Sequence, residues 1–369
     1  MENRRRRRKS VSRVAQISQA IKGRDLATLK HLARTGAGLE TTRLRRRAWP
    51  LLLNFRSLVD PGTTLLHPDE AQVDLDVPRT GLPKSREIRC TEHAVQRRQK
   101  QLRSVVVSVL CSYPWLSYYQ GFHELTMPFL CVFGSEKPTQ EAMRMMALFF
   151  VRDAMSSSLD HVMQQLQLLY VLLKAIAPKV HTVLEELQVP PFFAISWVLT
   201  WFAHDVDEFA SICRIYDFLV VSPPMQIVYV AAALVKHSES EILAMERDFA
   251  MVHTGLTKLP QQTREWDSIL EDSWYLQSEY PATKLQQMGC MLARRSAVNT
   301  FEATWTRLDP ARPLPFTALV ATKAVHPLAE TTPTKSATKN ATNAAQWPLV
   351  IATVASATMI MYAYLLAQP

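Results

Sequence analysis

Two short segments carry the side-chain types best suited to acting on an oxygen-rich ligand. The first, Val73-Asp74-Leu75-Asp76-Val77-Pro78-Arg79-Thr80, follows a loop containing Pro61-Gly62 and sets a guanidinium three residues after a carboxylate. A guanidinium is permanently charged and presents a planar fork of donors to phosphate or carboxylate oxygens. The second segment, Tyr118-Tyr119-Gln120-Gly121-Phe122-His123-Glu124, offers a carboxamide. That group holds an acceptor and a donor in one plane, so it can orient a water without becoming a base. Each segment also has an ordinary explanation. Asp76 and Arg79 form an i,i+3 pair worth about 0.2–0.5 kcal/mol on a helix surface, and Tyr119-Gln120-Gly121 reads equally as a plain turn.

Other polar residues carry less. His123 and His204 have no neighbouring ligand pattern and read as structural histidines, Glu124 as a packing or pairing group, and Met143, Met145 and Met146 as core or partner-facing packing. The five cysteines (Cys90, Cys111, Cys131, Cys213, Cys290) are odd in number and widely spaced, with no CxxC pair. A disulfide framework or zinc site is not expected, and a reducing cytosol fits. There is no GxxxxGK[ST] phosphate loop, so no nucleotide site of the chain's own is expected.

The elements that must position these residues read as helices. Hydrophobic residues make up 48% of the chain and charged ones 20%, with only 9 glycines, and period-2 alternation is absent. Val14, Ile17 and Ile21, then Leu26, Leu29 and Leu32, recur at helical spacing, and Thr35-Gly36-Ala37-Gly38 closes the second run. Further apolar-periodic stretches fall near 92–112, 138–155, 158–176, 179–188, 192–203, 207–221, 225–236, 239–250 and 262–279. Pro114, Pro190-Pro191, Pro223-Pro224 and Pro260 are expected to punctuate them. The fold class is therefore all-α, with a helical body at 11–308 in one or two lobes.

In that order along the chain, the motifs resemble the TBC family of Rab GTPase-activating proteins. Val73, Asp76 and Arg79 match its IxxDxxR motif with valine for isoleucine, and Tyr119, Gln120 and Gly121 match its YQG motif. Gly38-Leu39 through Leu44-Arg45 and Trp49-Pro50-Leu51-Leu52 resemble the family's opening pattern. Ser196-Trp197 with Thr200-Trp201-Phe202, and Arg214-Ile215-Tyr216-Asp217-Phe218 with tyrosine for the usual tryptophan, resemble later landmarks. The resemblance covers about residues 36–280.

It implies a GTPase activator rather than an enzyme with its own nucleotide site. A Rab-type GTPase would be the partner, and GTP and magnesium would arrive with it, so no cofactor is expected. Arg79 would be an arginine finger supplied in trans, a device typically worth about 10³–10⁵ in rate. Gln120 would stand in for the GTPase's own glutamine and hold the attacking water. Tyr119 and Gly121 would shape the turn presenting Gln120, and Asp76 would hold the Arg79 loop. Pro78 should push Val77 out of helical geometry, either presetting the finger loop or displacing it. A catalytically weak TBC scaffold that tethers a GTPase or effector at a membrane is the alternative.

The two ends of the chain differ from the body. Residues 1–47 carry fifteen Lys or Arg against three acids, whereas the whole chain is only +9, leaving residues 48–369 slightly acidic. Residues 1–10, with the run Arg4–Lys9, read as a solvated basic arm, with contact to anionic lipid as a second use and a nuclear or nucleic-acid role disfavoured. No signal peptide is expected. Residues 309–346 are rich in Thr, Ala, Pro and Lys and read as a flexible linker. Trp347–Ala367 has no charged residue and, as a helix of 21 residues, would extend about 30 Å, the depth of a bilayer core. It is expected to be a single C-terminal transmembrane helix, a tail anchor, rather than a buried core helix. Lys335 and Lys339 place its N-terminal side, and the body, in the cytoplasm. The family's endoplasmic-reticulum-anchored subgroup fits best, which implies that membrane and a Rab of early secretory traffic.

Overall fold

The structure is a computed structural model, and it describes residues 12–55, 58–59, 66–85, 88, 91–309, 311–312 and 314–315. The basic arm at 1–10, Cys90, nearly all of the linker and the 347–367 span lie outside the described residues. Among the described residues no helix is long and apolar enough to cross a membrane.

Seventeen α-helices are formed by the described residues. They are α1 (Arg13–Gly23), α2 (Leu26–Arg34), α3 (Thr42–Leu52), α4 (Glu70–Asp76), α5 (Glu92–Ser112), α6 (Phe122–Phe133), α7 (Glu136–Met145), α8 (Asp160–Ile176) and α9 (Pro178–Glu186). There follow α10 (Ile195–Thr200), α11 (Phe209–Leu219), α12 (Gln226–His237), α13 (Glu239–Ala244), α14 (Phe249–Gln262), α15 (Trp266–Glu279), α16 (Ala282–Met288) and α17 (Ala297–Trp305). A two-residue parallel pairing of Leu58–Val59 with Leu314–Pro315 is the extended exception to the all-helical expectation.

Local chemistry sets the helix ends. Ser12, Asp25, Thr41 and Thr91 each accept a backbone N–H from three residues ahead, capping α1, α2, α3 and α5. In α5, Leu102, Val105, Val106, Val109 and Leu110 form one buried stripe at helical spacing, and Pro114 follows its end. Two helices are apolar nearly all round and form the core: α6, buried over Leu125–Phe133, and α12, buried over Gln226–Val235. Helix α5 packs against α6 and α7, while α12 packs against α8 and α15. Met143, Met145 and Met146 are all core residues.

Pro260 does not punctuate helices as expected: it lies inside α14, two residues before that helix ends. Near a C-terminus a proline forfeits one backbone bond, and here the buried ring contributes apolar contact. The stretches expected at 239–250 and 262–279 resolve into α13, a separate α14 and α15.

Landmark residues from the start of the body and from α11 meet at one carboxylate. Asp217, fully buried on α11, lies 2.9 Å from Arg45 Nη2 and accepts from Trp49 Nε1 at 2.8 Å and from the Leu39 amide at 2.8 Å. Gly38 sits at φ +61 with its absent Cβ only 2.6 Å from Asp217 Oδ2, so glycine is needed there. On the same helix Arg214 donates to the carbonyls of Ala33 and Arg34 and pairs with Asp267 at 2.6 Å. The α2–loop–α3 stretch and α15 thus close around α11.

Candidate functional site

The Arg79 segment is built by α4 and the 3-10 turn Val77–Arg79 that continues it. Val73 and Val77 are buried while Pro78 and Arg79 are exposed, so the turn is anchored on its inner face and presents its outer one. Val77 has φ −57 and ψ −42, which corrects the expectation that Pro78 would drive it from helical geometry. The pre-proline bias is a preference, and here burial of Val77 overrides it. The ring of Pro78 occupies the first turn of a short helix, where its missing N–H costs nothing. Among the described residues the Arg79 guanidinium has no hydrogen-bond or ion-pair partner, and its donors are available to a ligand.

Asp76 does not contact Arg79. The expected i,i+3 pairing is absent among the described residues, because the Asp76 side chain turns inward and is buried. Its Oδ1 accepts from Gln72 Nε2 at 3.1 Å and its Oδ2 from Tyr118 Oη at 3.0 Å. The spacing held this signal: Val73, Asp76 and Val77 fall at i, i+3 and i+4, so Asp76 shares the core-facing stripe.

Tyr118 is the residue whose role the sequence left undefined. Its one hydroxyl proton goes to Asp76, so the 2.6 Å contact with His123 Nδ1 requires the imidazole to donate through Nδ1–H. Burial pushes the His123 pKa down, which keeps the ring neutral and suits that tautomer. Burial, reinforced by the Asp76 charge, pushes the Tyr118 phenol far above its ordinary range, so it stays a donor. Nearby, the Tyr118 amide donates to Asp69 Oδ2 at 2.7 Å, and His67 Nε2 lies 3.0 Å from the Leu116 carbonyl. The Arg79-bearing and Gln120-bearing segments, distant in sequence, are therefore tied together by several bonds.

The Gln120 turn is fixed by its neighbours. Tyr119 is buried and donates to the Leu199 carbonyl at 2.8 Å. Gly121 adopts φ +118, and a Cβ there would lie 3.1 Å from Thr200 Cγ2. Between these two buried residues Gln120 is exposed, with no hydrogen-bond partner among the described residues. Behind the turn, Trp201 and Phe202 both hold left-handed φ values of +53 and +65, an uncommon pair for bulky residues. Their buried rings hold them there, Trp201 against Tyr216 and Phe202 against Trp197 and Trp266. Tyr216 shares its hydroxyl proton between the carbonyls of Leu125 and Thr200, 3.1 and 3.2 Å away. His204 Nδ1 then reaches Glu124 Oε1 at 2.8 Å, the pairing role expected of Glu124.

A groove of about 240 Å³ separates the finger turn from α5, lined by Val77, Pro78, Gln96, Gln99, Lys100 and Arg103 among others. Among the described residues no cluster of His, Cys, Asp or Glu could hold a metal ion.

Comparison with known proteins gives this arrangement its class. Residues 42–243 match the model of the RabGAP-TBC family, described as the Rab-GTPase-TBC domain. The chain is 30% identical over 309 residues to human TBC1 domain family member 20, covering 80% of this chain and 74% of that protein. It is 29% identical over 256 residues to GTPase-activating protein gyp10 of Schizosaccharomyces pombe, covering 66% of this chain and 67% of that one. A crystal structure of the Ypt/Rab-GAP domain of Gyp1p superposes with a TM-score of 0.54 at 18% identity, spanning 72% of this chain and 99% of that one, which shows the fold. The chain belongs to the RabGAP-TBC family. Membership makes it an activator of GTP hydrolysis by Rab-type GTPases.

Proposed function

We propose that Arg79 and Gln120 act together in trans on the GTP of a bound Rab-type GTPase. The observation that carries this reading is the Asp76–Tyr118 hydrogen bond. It couples two segments whose outward residues are an unpaired guanidinium and an unpaired carboxamide. The guanidinium would neutralise charge building on the transferring phosphoryl group and the leaving oxygen. The carboxamide would hold the attacking water in line, a division of labour that phosphoryl transfer needs and that requires no base. Magnesium and nucleotide would be carried by the GTPase, and nothing is asked of Asp76 beyond joining the two segments.

The subgroup resemblance and the uncharged stretch 347–367 support a membrane-held activator at the endoplasmic reticulum, acting on a Rab of early secretory traffic. The test is single-turnover GTP hydrolysis by a panel of Rab proteins with the full chain, Arg79→Ala and Gln120→Ala. Each variant should lose most of the stimulation with unchanged melting. Stimulation equal to the parent in both would overturn the two-finger reading. Binding without stimulation by the parent chain would favour the scaffold reading. Deletion of residues 347–369 should release the protein from membranes; continued recovery in the membrane fraction would place the anchor elsewhere.

A further inference from the structure

A three-residue 3-10 turn is a weak platform for a side chain that must be placed accurately. The turn Val77–Arg79 closes with one backbone bond, Thr80 N–H to the Val77 carbonyl at 3.0 Å, supplemented by Thr80 Oγ1 to the Asp76 carbonyl at 3.4 Å. Both are local. On its α5 side the turn faces the groove lined by Val77, Pro78, Gln96, Gln99, Lys100 and Arg103.

One side chain of α5 ties the two walls of that groove together. Gln99 Nε2 donates to the Pro78 carbonyl at 2.8 Å and to the Thr80 carbonyl at 3.1 Å, the two carbonyls that flank Arg79. With two acceptors before it, the amide has to present its nitrogen, so its orientation is set by the network. Among the described residues these are the only hydrogen bonds that reach Val77–Gly81 from beyond the turn itself and the adjoining α4. Gln99 itself stands on α5 one turn before Leu102, which is fully buried, so its backbone is fixed to the core.

We propose that Gln99 is the positioning residue for Arg79, clamping the carbonyls of the residues before and after it, Pro78 and Thr80, to a rigid helix. The inference rests on the finger reading of Arg79. Gln99 touches neither nucleotide nor water; it acts through the backbone. Its sequence signal is nil, since a lone glutamine on a helix has no pattern to mark it.

The experiment compares Gln99→Met, Gln99→Lys, Gln96→Met and Arg79→Ala in the full chain, using the Rab protein that the parent stimulates most. Methionine keeps the length of the side chain and its helical preference but removes both donors. Lysine restores donors at similar reach. Because misplacing a reacting group by an ångström can cost about a hundredfold, Gln99→Met should lower kcat by about tenfold with KM held within about twofold. Gln99→Lys should recover most of that loss. Gln96→Met, which lines the same groove one turn away, should match the parent. An unchanged kcat in Gln99→Met, or a loss shared by Gln99→Lys or Gln96→Met, would overturn the clamp. If Arg79→Ala is inactive while Gln99→Met is normal, only this inference falls; if Arg79→Ala is fully active, the finger reading falls first.

Discussion

Tyr118 Oη lies 3.0 Å from Asp76 Oδ2 and 2.6 Å from His123 Nδ1, so a single phenol joins the helix behind Arg79 to the helix that follows Gln120. Replacing it by phenylalanine keeps the ring and its stacking on His123 but leaves a buried carboxylate with Gln72 as its remaining side-chain partner. Tyr118→Phe should cost about 1–3 kcal/mol of stability, the penalty for an unsatisfied buried acceptor. It should also lower the stimulated rate, because the two segments lose their direct link. Thermal melting and single-turnover hydrolysis read the two effects separately. Parent-like values in both would mean that the link carries nothing.

Arg79→Lys tests whether charge alone suffices. Lysine keeps the cation but loses the planar fork, and its ammonium is a compact, strongly hydrated point charge. If the finger acts by forked contact to developing oxyanions, Arg79→Lys should recover little of the roughly 10³–10⁵-fold effect of an arginine finger. Near-parent hydrolysis by Arg79→Lys would show that a positive charge in this place is enough.

Gly121→Ala probes the support of the other segment. An L residue at φ +118 is strained by about 1–3 kcal/mol, and the new methyl meets Thr200 Cγ2 at 3.1 Å. Both effects displace Gln120, so the stimulated rate should fall well below that of an exposed alanine substitution. Thr200→Ser removes the offending methyl but keeps the hydroxyl that bonds the Ser196 carbonyl. Combining the two changes should therefore restore the steric part of the loss and leave the backbone part. Full restoration would show that the backbone conformation is of no consequence.

The elements that the sequence made legible were those with local signals at both ends. Helix α5 matches its expected bounds because Thr91 caps it and Pro114 follows it. Helix α6 was not marked out, since a near-continuous apolar run over Leu125–Phe133 carries no period. At the site, Arg79 and Gln120 and the supporting Asp76, Tyr119 and Gly121 are reached through motif resemblance, whereas Tyr118 and Gln99 are not. Tyr118 falls outside the motif that marks Tyr119, yet it bonds Asp76 while Tyr119 bonds the Leu199 carbonyl. The Asp217 cluster was recorded as separate landmarks, and only folding shows that Leu39, Arg45 and Trp49 converge on one carboxylate from more than 160 residues away.

That convergence makes Asp217 a stability centre. Arg45 and Asp217 are both buried, and besides Arg45 the Leu39 amide and the Trp49 indole N–H aim at the carboxylate. Asp217→Asn keeps the shape, replaces one acceptor oxygen by a donor and leaves the Arg45 charge uncompensated. Breaking a buried ion pair in this way should cost about 3–5 kcal/mol. For a domain of this size that lowers the melting temperature by roughly 5–8 °C. Arg79 and Gln120 lie outside the cluster, so hydrolysis per folded molecule should stay near the parent value at low temperature. A melting temperature within a degree of the parent would show that water or local rearrangement satisfies the donors.

The Glu124–His204 pair, beside the Gln120 turn, should make stability depend on pH in a defined direction. Hydrogen bonding to Glu124 raises the His204 pKa to about 9 from an ordinary value of 6.5, burial opposing the shift and charge attraction adding to it. A group whose folded pKa exceeds its unfolded pKa stabilises fully below the unfolded value, and that contribution is lost as pH rises through the folded one. The parent should therefore exceed Glu124→Gln in stability at pH 6, and the gap should close between pH 6.5 and about 9. The neighbouring Asp205, pushed up to about 7 chiefly by burial, titrates inside the same window and feels the charges of both His204 and Glu124. The difference between parent and variant therefore reports the ion pair together with its effect on Asp205. The His204 side chain is 37% exposed, so added salt should shrink the gap at pH 6. Denaturant melts at pH 6 and pH 10, each at low and high salt, provide the four values needed. A gap that persists at pH 10 would mean that Glu124 stabilises the turn by packing rather than by charge.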